Sequence, residues 1–425
     1  MNRPLPSADG HTAQPPAAMP DASTLNAAPS GERTHLTLYG RRNAGKSSLI
    51  NALTGQEVAL VSPVKGTTTD PVGKAMELLP LGPVVFTDTP GLDDEGTLGA
   101  ERVRRANLSL MRTDLLLLVT TAEWGVGDVE KSLLARAAEQ KIPVVVIFNQ
   151  CDRAVPTIEQ KATAATFGPV YEVSAATGAG LQSLKEGLAR QMPDEMAHRR
   201  LLGDLLRRGE VVVLVTPIDS AAPKGRLILP QQQAIRDALD AGAQCIVVQE
   251  DALADALNNL RAPPALVVTD SQAFRRVAAT VPAEVPLTSF SILFARYKGD
   301  LSILTEGAKH VEKLKDGDRI LMAEGCTHHR QEDDIGTVKI PRWLLQKTGK
   351  ALTFGHCSGL AWPADLSSYA LAVHCGGCML TRREMLARIE GARVAGVPIV
   401  NYGVLIAHLN GILPRALAAL KLANR

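Results

Sequence analysis

Short runs of apolar residues alternate with amphipathic stretches along most of this chain, which is the pattern of strands buried on both faces between helices. Strands are predicted over residues 35–39, 84–87, 115–119, 144–148 and 170–173, with helical stretches such as 48–53 and 99–111 between them. That order predicts an α/β fold, a mostly parallel, doubly wound sheet. Pro193 closes it, and the charged stretch 194–208 reads as a connecting helix. A second, smaller alternation follows: strands at 211–216, 245–248 and 265–269, and helices at 231–241 and 252–260. After Pro286 a third begins, with strands at 319–322, 369–373 and 397–400 and helices near 305–314 and 382–390. Residues 1–32, rich in Pro, Ala, Ser and Gly and without apolar periodicity, are expected to be a disordered tail. The expected division is therefore a tail (1–32), a large α/β domain (33–195) and two smaller α/β domains (196–285 and 286–425). No fixed internal period suggests a solenoid.

Composition narrows the classes. The 46 basic and 44 acidic side chains leave a net charge of only +2, so no broad field for a nucleic-acid backbone is expected. No apolar run approaches the roughly 18 residues a membrane span requires. Six cysteines in 425 residues, with no charged-then-apolar leader, argue against a secreted disulfide framework and for a reducing cytoplasm.

The first domain carries five motifs in order. Gly40-Arg41-Arg42-Asn43-Ala44-Gly45-Lys46-Ser47 follows an apolar strand and opens a helix at Ser48, the context of a phosphate-binding loop. Backbone N–H groups of such a loop wrap phosphates at a helix N-terminus, Lys46 reaches the β and γ phosphates, and the Ser47 hydroxyl ligates Mg2+. Gly66-Thr67-Thr68-Thr69-Asp70 reads as switch I, with Thr68 completing the Mg2+ shell when a γ-phosphate is present. Asp88-Thr89-Pro90-Gly91 reads as switch II: Asp88 reaches Mg2+ through water and the Gly91 N–H senses the γ-phosphate. Asn149-Gln150-Cys151-Asp152 ends a hydrophobic strand where the Asp152 carboxylate can accept two hydrogen bonds from a guanine edge, and Ser174-Ala175-Ala176-Thr177-Gly178 supplies a backbone donor to the guanine oxygen. The ligand predicted is GTP. Leu92, where a water-orienting glutamine could stand, predicts slow intrinsic hydrolysis.

These motifs resemble the translation-factor-like GTPases, in the TrmE/Era-like branch of tRNA-modifying and ribosome-assembly GTPases. One departure is Gln150, where that family has a lysine whose stem packs along the base; weaker guanine affinity follows, with selectivity through Asp152 retained. Asn43 resembles the asparagine that seats K+ beside the phosphates in potassium-activated members, and an ordinary variable position weighs equally.

Cys326-Thr327-His328 and His374-Cys375-Gly376-Gly377-Cys378 each follow a predicted strand. Loops at strand C-termini share the rim where parallel sheets bind ligands, so the two segments can converge. Three thiolates with nearby imidazoles suit a four-coordinate zinc site or an iron–sulfur cluster with one labile position. Spacing leaves both open, along with a Cys375/Cys378 redox pair and cysteines buried without metal. Cys357 is a weaker candidate ligand, and Cys151 and Cys245 read as ordinary buried residues.

The whole arrangement after the tail resembles the HydF family of FeFe-hydrogenase maturation GTPases. The resemblance implies a 4Fe-4S cluster on Cys326, Cys375 and Cys378, with His328, His374 or solvent at the fourth iron. It implies a scaffold that receives a di-iron precursor made with two radical-SAM maturases and delivers it to apo FeFe-hydrogenase, and a homodimer formed through the middle domain. The competing expectation is a zinc-containing GTPase of tRNA modification or ribosome assembly, which the 4% aromatic content does not favour.

Overall fold

A computed structural model describes residues 30–55, 73–89, 109–191, 199–217, 227–325, 334–359, 362–363 and 365–424. The first unit comprises β1 (Thr34–Tyr39), α1 (Lys46–Thr54), β2 (Gly73–Leu78), β3 (Gly82–Asp88), β4 (Leu115–Thr120), α2 (Asp128–Glu139), β5 (Val144–Phe148), α3 (Ile158–Ala165), β6 (Val170–Glu172) and α4 (Leu181–Arg190). Its six-stranded sheet runs β2-β3-β1-β4-β5-β6, parallel except for β2. The apolar runs form strands because both faces are covered. Leu115, Leu117 and Val119 pack with Leu36, Leu38, Val145 and Ile147 on one side, while Leu116 and Leu118 pack with Val144, Val146 and Phe148 on the other.

The second unit holds β7 (Val211–Val215), α5 (Leu229–Asp240), β8 (Gln244–Val248), α6 (Leu253–Asn258), β9 (Leu266–Thr269), α7 (Phe274–Thr280) and β10 (Leu287–Ser289) in a parallel sheet of order β10-β9-β7-β8. Two helices, α8 (Phe290–Lys298) and α9 (Leu301–Lys309), lead to the third unit. That unit comprises β11 (Arg319–Glu324), α10 (Ile340–Thr348), β12 (Thr353–Ser358), β13 (Leu371–His374), α11 (Arg382–Val394), β14 (Ile399–Asn401), α12 (Tyr402–Leu409) and α13 (Leu413–Ala418), with parallel sheet order β12-β11-β13-β14. One apolar cluster runs unbroken from Val213, Val267 and Leu287 through Ile292 and Leu304 to Ile320, Val373 and Val400, so the second and third units share a core.

Two expectations need correction. Residues 199–208 are not a helix: Leu201, Leu202, Leu205 and Leu206 are buried at a helix-like spacing, but the chain makes only a single 3-10 turn, Gly203–Leu205. Asp237 accepts the Leu202 and Gly203 N–H groups at 2.8 and 2.6 Å, which diverts them from a helical ladder. The tail expected through Glu32 also ends too late, since Ser30–Glu32 forms a 3-10 turn packed against the third unit; residues 1–29 lie outside the described residues.

The GTPase-like unit meets the third unit through polar contacts at the end of its sheet away from the P-loop. Arg112 Nε donates to Glu384 at 2.5 Å, and Arg383 donates to the carbonyls of Gln140 and Lys141. Glu384 is buried and also accepts the Thr381 N–H, closing a capping box with that N-terminal cap of α11. Arg112→Ala is expected to destabilise this junction by about 1–2 kcal/mol, less than for a fully buried pair because Arg112 is partly solvated. Thermal unfolding monitored by circular dichroism reads it as a fall of a few degrees.

Candidate functional site

The P-loop turns sharply at the end of β1. Gly45 is left-handed (φ 82°) at the start of α1, and so is Asn43 (φ 64°), an exposed residue. Lys46 Nζ donates to the carbonyls of Gly40 and Arg41 at 3.0 and 3.1 Å, folding the loop over its own lysine; Ala44 is buried and Ser48 exposed. Ser47 Oγ donates to Asp88 Oδ2 at 2.6 Å. Asp88 Oδ1 is buried without a hydrogen-bond partner among the described residues. An acceptor left over beside a hydroxyl is what a hydrated Mg2+ would satisfy, so these residues fit that ion. Thr68, Gly91 and Leu92 lie outside the described residues.

The base-side motifs are tied to the same loop. Asn149 Nδ2 donates to the Ala44 and Gly45 carbonyls at 3.0 and 3.4 Å, and its Oδ1 accepts the Ala175 N–H at 3.1 Å. Asn149 thus joins the P-loop to the 174–178 loop. Gln150, left-handed at φ 61°, donates through Nε2 to the Asn43 carbonyl at 2.9 Å, so it braces the P-loop where the family lysine would stand. Asp152 is exposed and accepts from Ser174 Oγ at 2.6 Å, which holds its carboxyl below the usual range. It is ionised and can accept donors. Sequence pattern alone did not reveal the buried Glu130, which pairs with Arg41 at 2.8 Å while Arg41 lies over Trp124.

In the third unit β11 and β13 are neighbours, with Ala323 opposite His374, so their C-terminal loops start side by side. The Cys375 N–H donates to the Ala323 carbonyl at 2.8 Å. Cys375 Sγ in turn accepts N–H groups from Gly325 at 3.0 Å and Gly377 at 3.4 Å. Two amide donors on one sulfur favour a thiolate. Gly325 immediately precedes Cys326, which, with His328 and His329, lies outside the described residues; no group of three or more metal-binding side chains occurs among those described. The residues present fit a thiolate-ligated centre at this rim.

His374 is placed differently from its expected role. It is wholly buried, and Arg388, which can only donate, lies 2.7 Å from Nε2, leaving the proton on Nδ1 to donate to the Cys375 carbonyl at 2.8 Å. Burial, then the Arg388 charge, push its pKa down to about 3, so it is neutral. As placed, neither nitrogen is open to a metal. Arg388 also stacks on Trp362 and donates to the Gly359 carbonyl. Cys357 lies on edge strand β12, half-buried, its thiol pushed up by burial, and Cys151 and Cys245 are likewise pushed up by burial. Lys298, the last residue of α8, carried no sequence signal, yet its Nζ reaches the loop's carbonyls at Cys378 and Leu380, both at 2.9 Å.

Comparison with known proteins bears on all three units. Residues 35–150 match the model of the 50S ribosome-binding GTPase family, residues 201–299 that of the hydrogen maturase F dimerization domain, and residues 302–419 that of the hydrogen maturase F tetramerization domain. Over 162 residues the chain is 33% identical to the tRNA modification GTPase MnmE of Nitrosomonas europaea, covering 37% of this chain and 35% of that protein. Over 166 residues it is 32% identical to the GTPase Era of Carboxydothermus hydrogenoformans, covering 37% and 55% respectively. The chain thus spans about a third to a half of the length of these curated relatives. A crystal structure of Aquifex aeolicus Era with GDP·AlF4− aligns over 51% of this chain and 93% of that one, at 20% identity and a TM-score of 0.32. No helix among the described residues is long and apolar enough to cross a membrane. With a GTPase domain in front and two successive domains that both match models of one family, the chain belongs to the hydrogen maturase F (HydF) family of hydrogenase maturation GTPases.

Proposed function

We propose that this protein is a GTP-hydrolysing scaffold that holds a 4Fe-4S cluster on Cys326, Cys375 and Cys378 and passes a di-iron precursor to apo FeFe-hydrogenase. The observation that carries the reading is Cys375 Sγ, which accepts two backbone N–H groups at the mouth of a rim whose next residue is Cys326. Such a cluster supplies one iron with an exchangeable position, to which a precursor can bind. The chain's part is to present thiolates and exclude competing ligands. His374 is held away by Arg388, which leaves His328 or solvent for the fourth position.

On the nucleotide side, Lys46 and the P-loop amides hold the phosphates, Ser47, Asp88 and Thr68 serve Mg2+, and Asp152 with the Ser174–Ala175 backbone reads guanine. Asn43 contributes to a K+ site that does an arginine finger's electrostatic work. Hydrolysis is slow unaided and acts as a timing switch through the two switch loops. The units 33–195, 196–285 and 286–425 then serve as switch, dimerising unit and cluster carrier in the cytoplasm. The third unit, which matches a tetramerization domain, extends assembly beyond a pair. The partners are the radical-SAM maturases and the hydrogenase, with no nucleic acid.

The decisive experiment is anaerobic reconstitution with iron and sulfide, followed by metal analysis and EPR of the reduced protein. A 4Fe-4S signal supports the scaffold, whereas stoichiometric tightly bound zinc with no such signal overturns it and favours a zinc-bearing assembly GTPase. The guanine reading has its own test in Asp152→Asn, which loses the paired acceptor for the base. GTP affinity is expected to fall about 30- to 100-fold, roughly 2–3 kcal/mol, while affinity for xanthosine triphosphate rises. Competition against a fluorescent guanine nucleotide measures both.

A further inference from the structure

We infer that Lys298 is a positioning residue for the Cys375–Cys378 loop, and that with Glu32 it sets the charge beside the cluster; this rests on the cluster reading above. Lys298 Nζ lies 3.4, 2.9 and 2.9 Å from the carbonyls of Gly377, Cys378 and Leu380 and forms an ion pair with Glu32 at 3.1 Å. Its side chain is 2% exposed and that of Glu32 17%. A buried ammonium is costly unless its three protons are all engaged, and here the loop's inner carbonyls engage them. Gly377 sits in the left-handed region (φ 64°), and a side chain there would meet Met385 at 2.4 Å, so the turn that aims these carbonyls at Lys298 depends on glycine.

The counter-charge comes from the far end of the chain. Glu32 accepts from Tyr297 Oη at 2.9 Å, and a Cβ on Gly31 would lie 2.6 Å from the Leu380 carbonyl, 2.9 Å from Lys298 Nζ and 3.0 Å from the Cys378 carbonyl. The segment entering β1 is therefore pressed against the cysteine loop, and β1 runs from there to the P-loop at Gly40. Two further described cations lie near the loop: Arg382, which donates to the Lys298 and Gly299 carbonyls, and Arg388, which donates toward His374 beside Cys375. A positive charge near an iron–sulfur cluster favours the reduced form and a negative one the oxidised form.

The test compares wild type with Lys298→Met, Glu32→Gln and the double variant, as full chains whose folding is checked by thermal melting. In the reconstituted proteins, EPR-monitored redox titration is expected to show a lower midpoint potential for Lys298→Met and a higher one for Glu32→Gln, with the double variant between them. In the metal-free proteins, Cys378 is expected to react with iodoacetamide several-fold faster in the double variant, where both charges are removed and only the loop's anchor is lost, while Cys245 is unchanged. Shifts of the same sign in both single variants, or none, with Cys378 alkylation unaltered, would overturn the inference. If Lys298→Met does not fold, the double variant and Glu32→Gln still decide it. If wild type takes up no cluster, the cluster reading fails, and the alkylation rates still test the loop's dependence on Lys298.

Discussion

Cys375→Ala is expected to leave the reconstituted protein with almost no iron or sulfide and no EPR signal from a reduced cluster, while the GTPase unit still binds nucleotide. Cys375 is the candidate ligand around which the described rim is organised: its sulfur accepts the Gly325 and Gly377 N–H groups, and its own N–H is fixed to β11 through the Ala323 carbonyl. Alanine removes the sulfur and leaves those donors facing a methyl group. Cys357→Ala is the matched control. Its thiol sits on an edge strand in the apolar cluster, so it should retain iron content near wild type. Equal loss in both variants would mean that the cysteines act through folding, and full retention in Cys375→Ala would remove it from the ligand set.

Gly45→Ala should weaken GTP binding by about a hundredfold or more, on the order of 3 kcal/mol, in a protein that otherwise folds. Two costs combine at this position. The left-handed backbone disfavours any Cβ, and an added Cβ would lie 2.4 Å from Asn149 Nδ2. Asn149 cannot retreat freely, since it bonds the Ala44 carbonyl on one side and the Ala175 N–H on the other. The substitution thus strains the phosphate loop and loosens the guanine-side loop together. Titration with a fluorescent GTP analogue reads the loss, and an unchanged far-ultraviolet circular dichroism spectrum separates it from misfolding. Binding within a few-fold of wild type would show that the loop adapts and that Asn149 is no brace.

The nucleotide half of the molecule was legible because its chemistry is local. A phosphate loop needs glycines, a lysine and a hydroxyl at fixed spacing between a strand and a helix, and the apolar strand 144–148 is bounded as its sequence suggests. Strand β12 was missed: with Gly355, His356 and Cys357 it lacks an apolar face, because it lies at a sheet edge and buries little. Antiparallel β2 and three-residue β10 were missed for the same lack of contrast. The helix expected from the charged stretch 194–208 fails over the described residues 199–208, where a carboxylate from α5 takes the Leu202 and Gly203 N–H groups. The two cysteine loops follow neighbouring strands, β11 and β13, as parallel-sheet topology suggested, while Cys326 itself lies outside the described residues. Lys298 and Glu32 could not be read at all, since only packing brings the two ends of that pair together.

The unbroken apolar cluster linking the second and third units has a consequence for how the molecule comes apart. Units that share a core cannot lose one sheet without exposing the other, so residues 200–420 should melt as one cooperative block. The GTPase unit is joined to that block by a few ion pairs and carbonyl contacts and has its own apolar layers, so it is free to melt separately. Calorimetry of the whole chain should then resolve two endotherms. Saturating nucleotide should move only one of them by mass action, and the degree to which the other follows measures how much free energy passes across the junction.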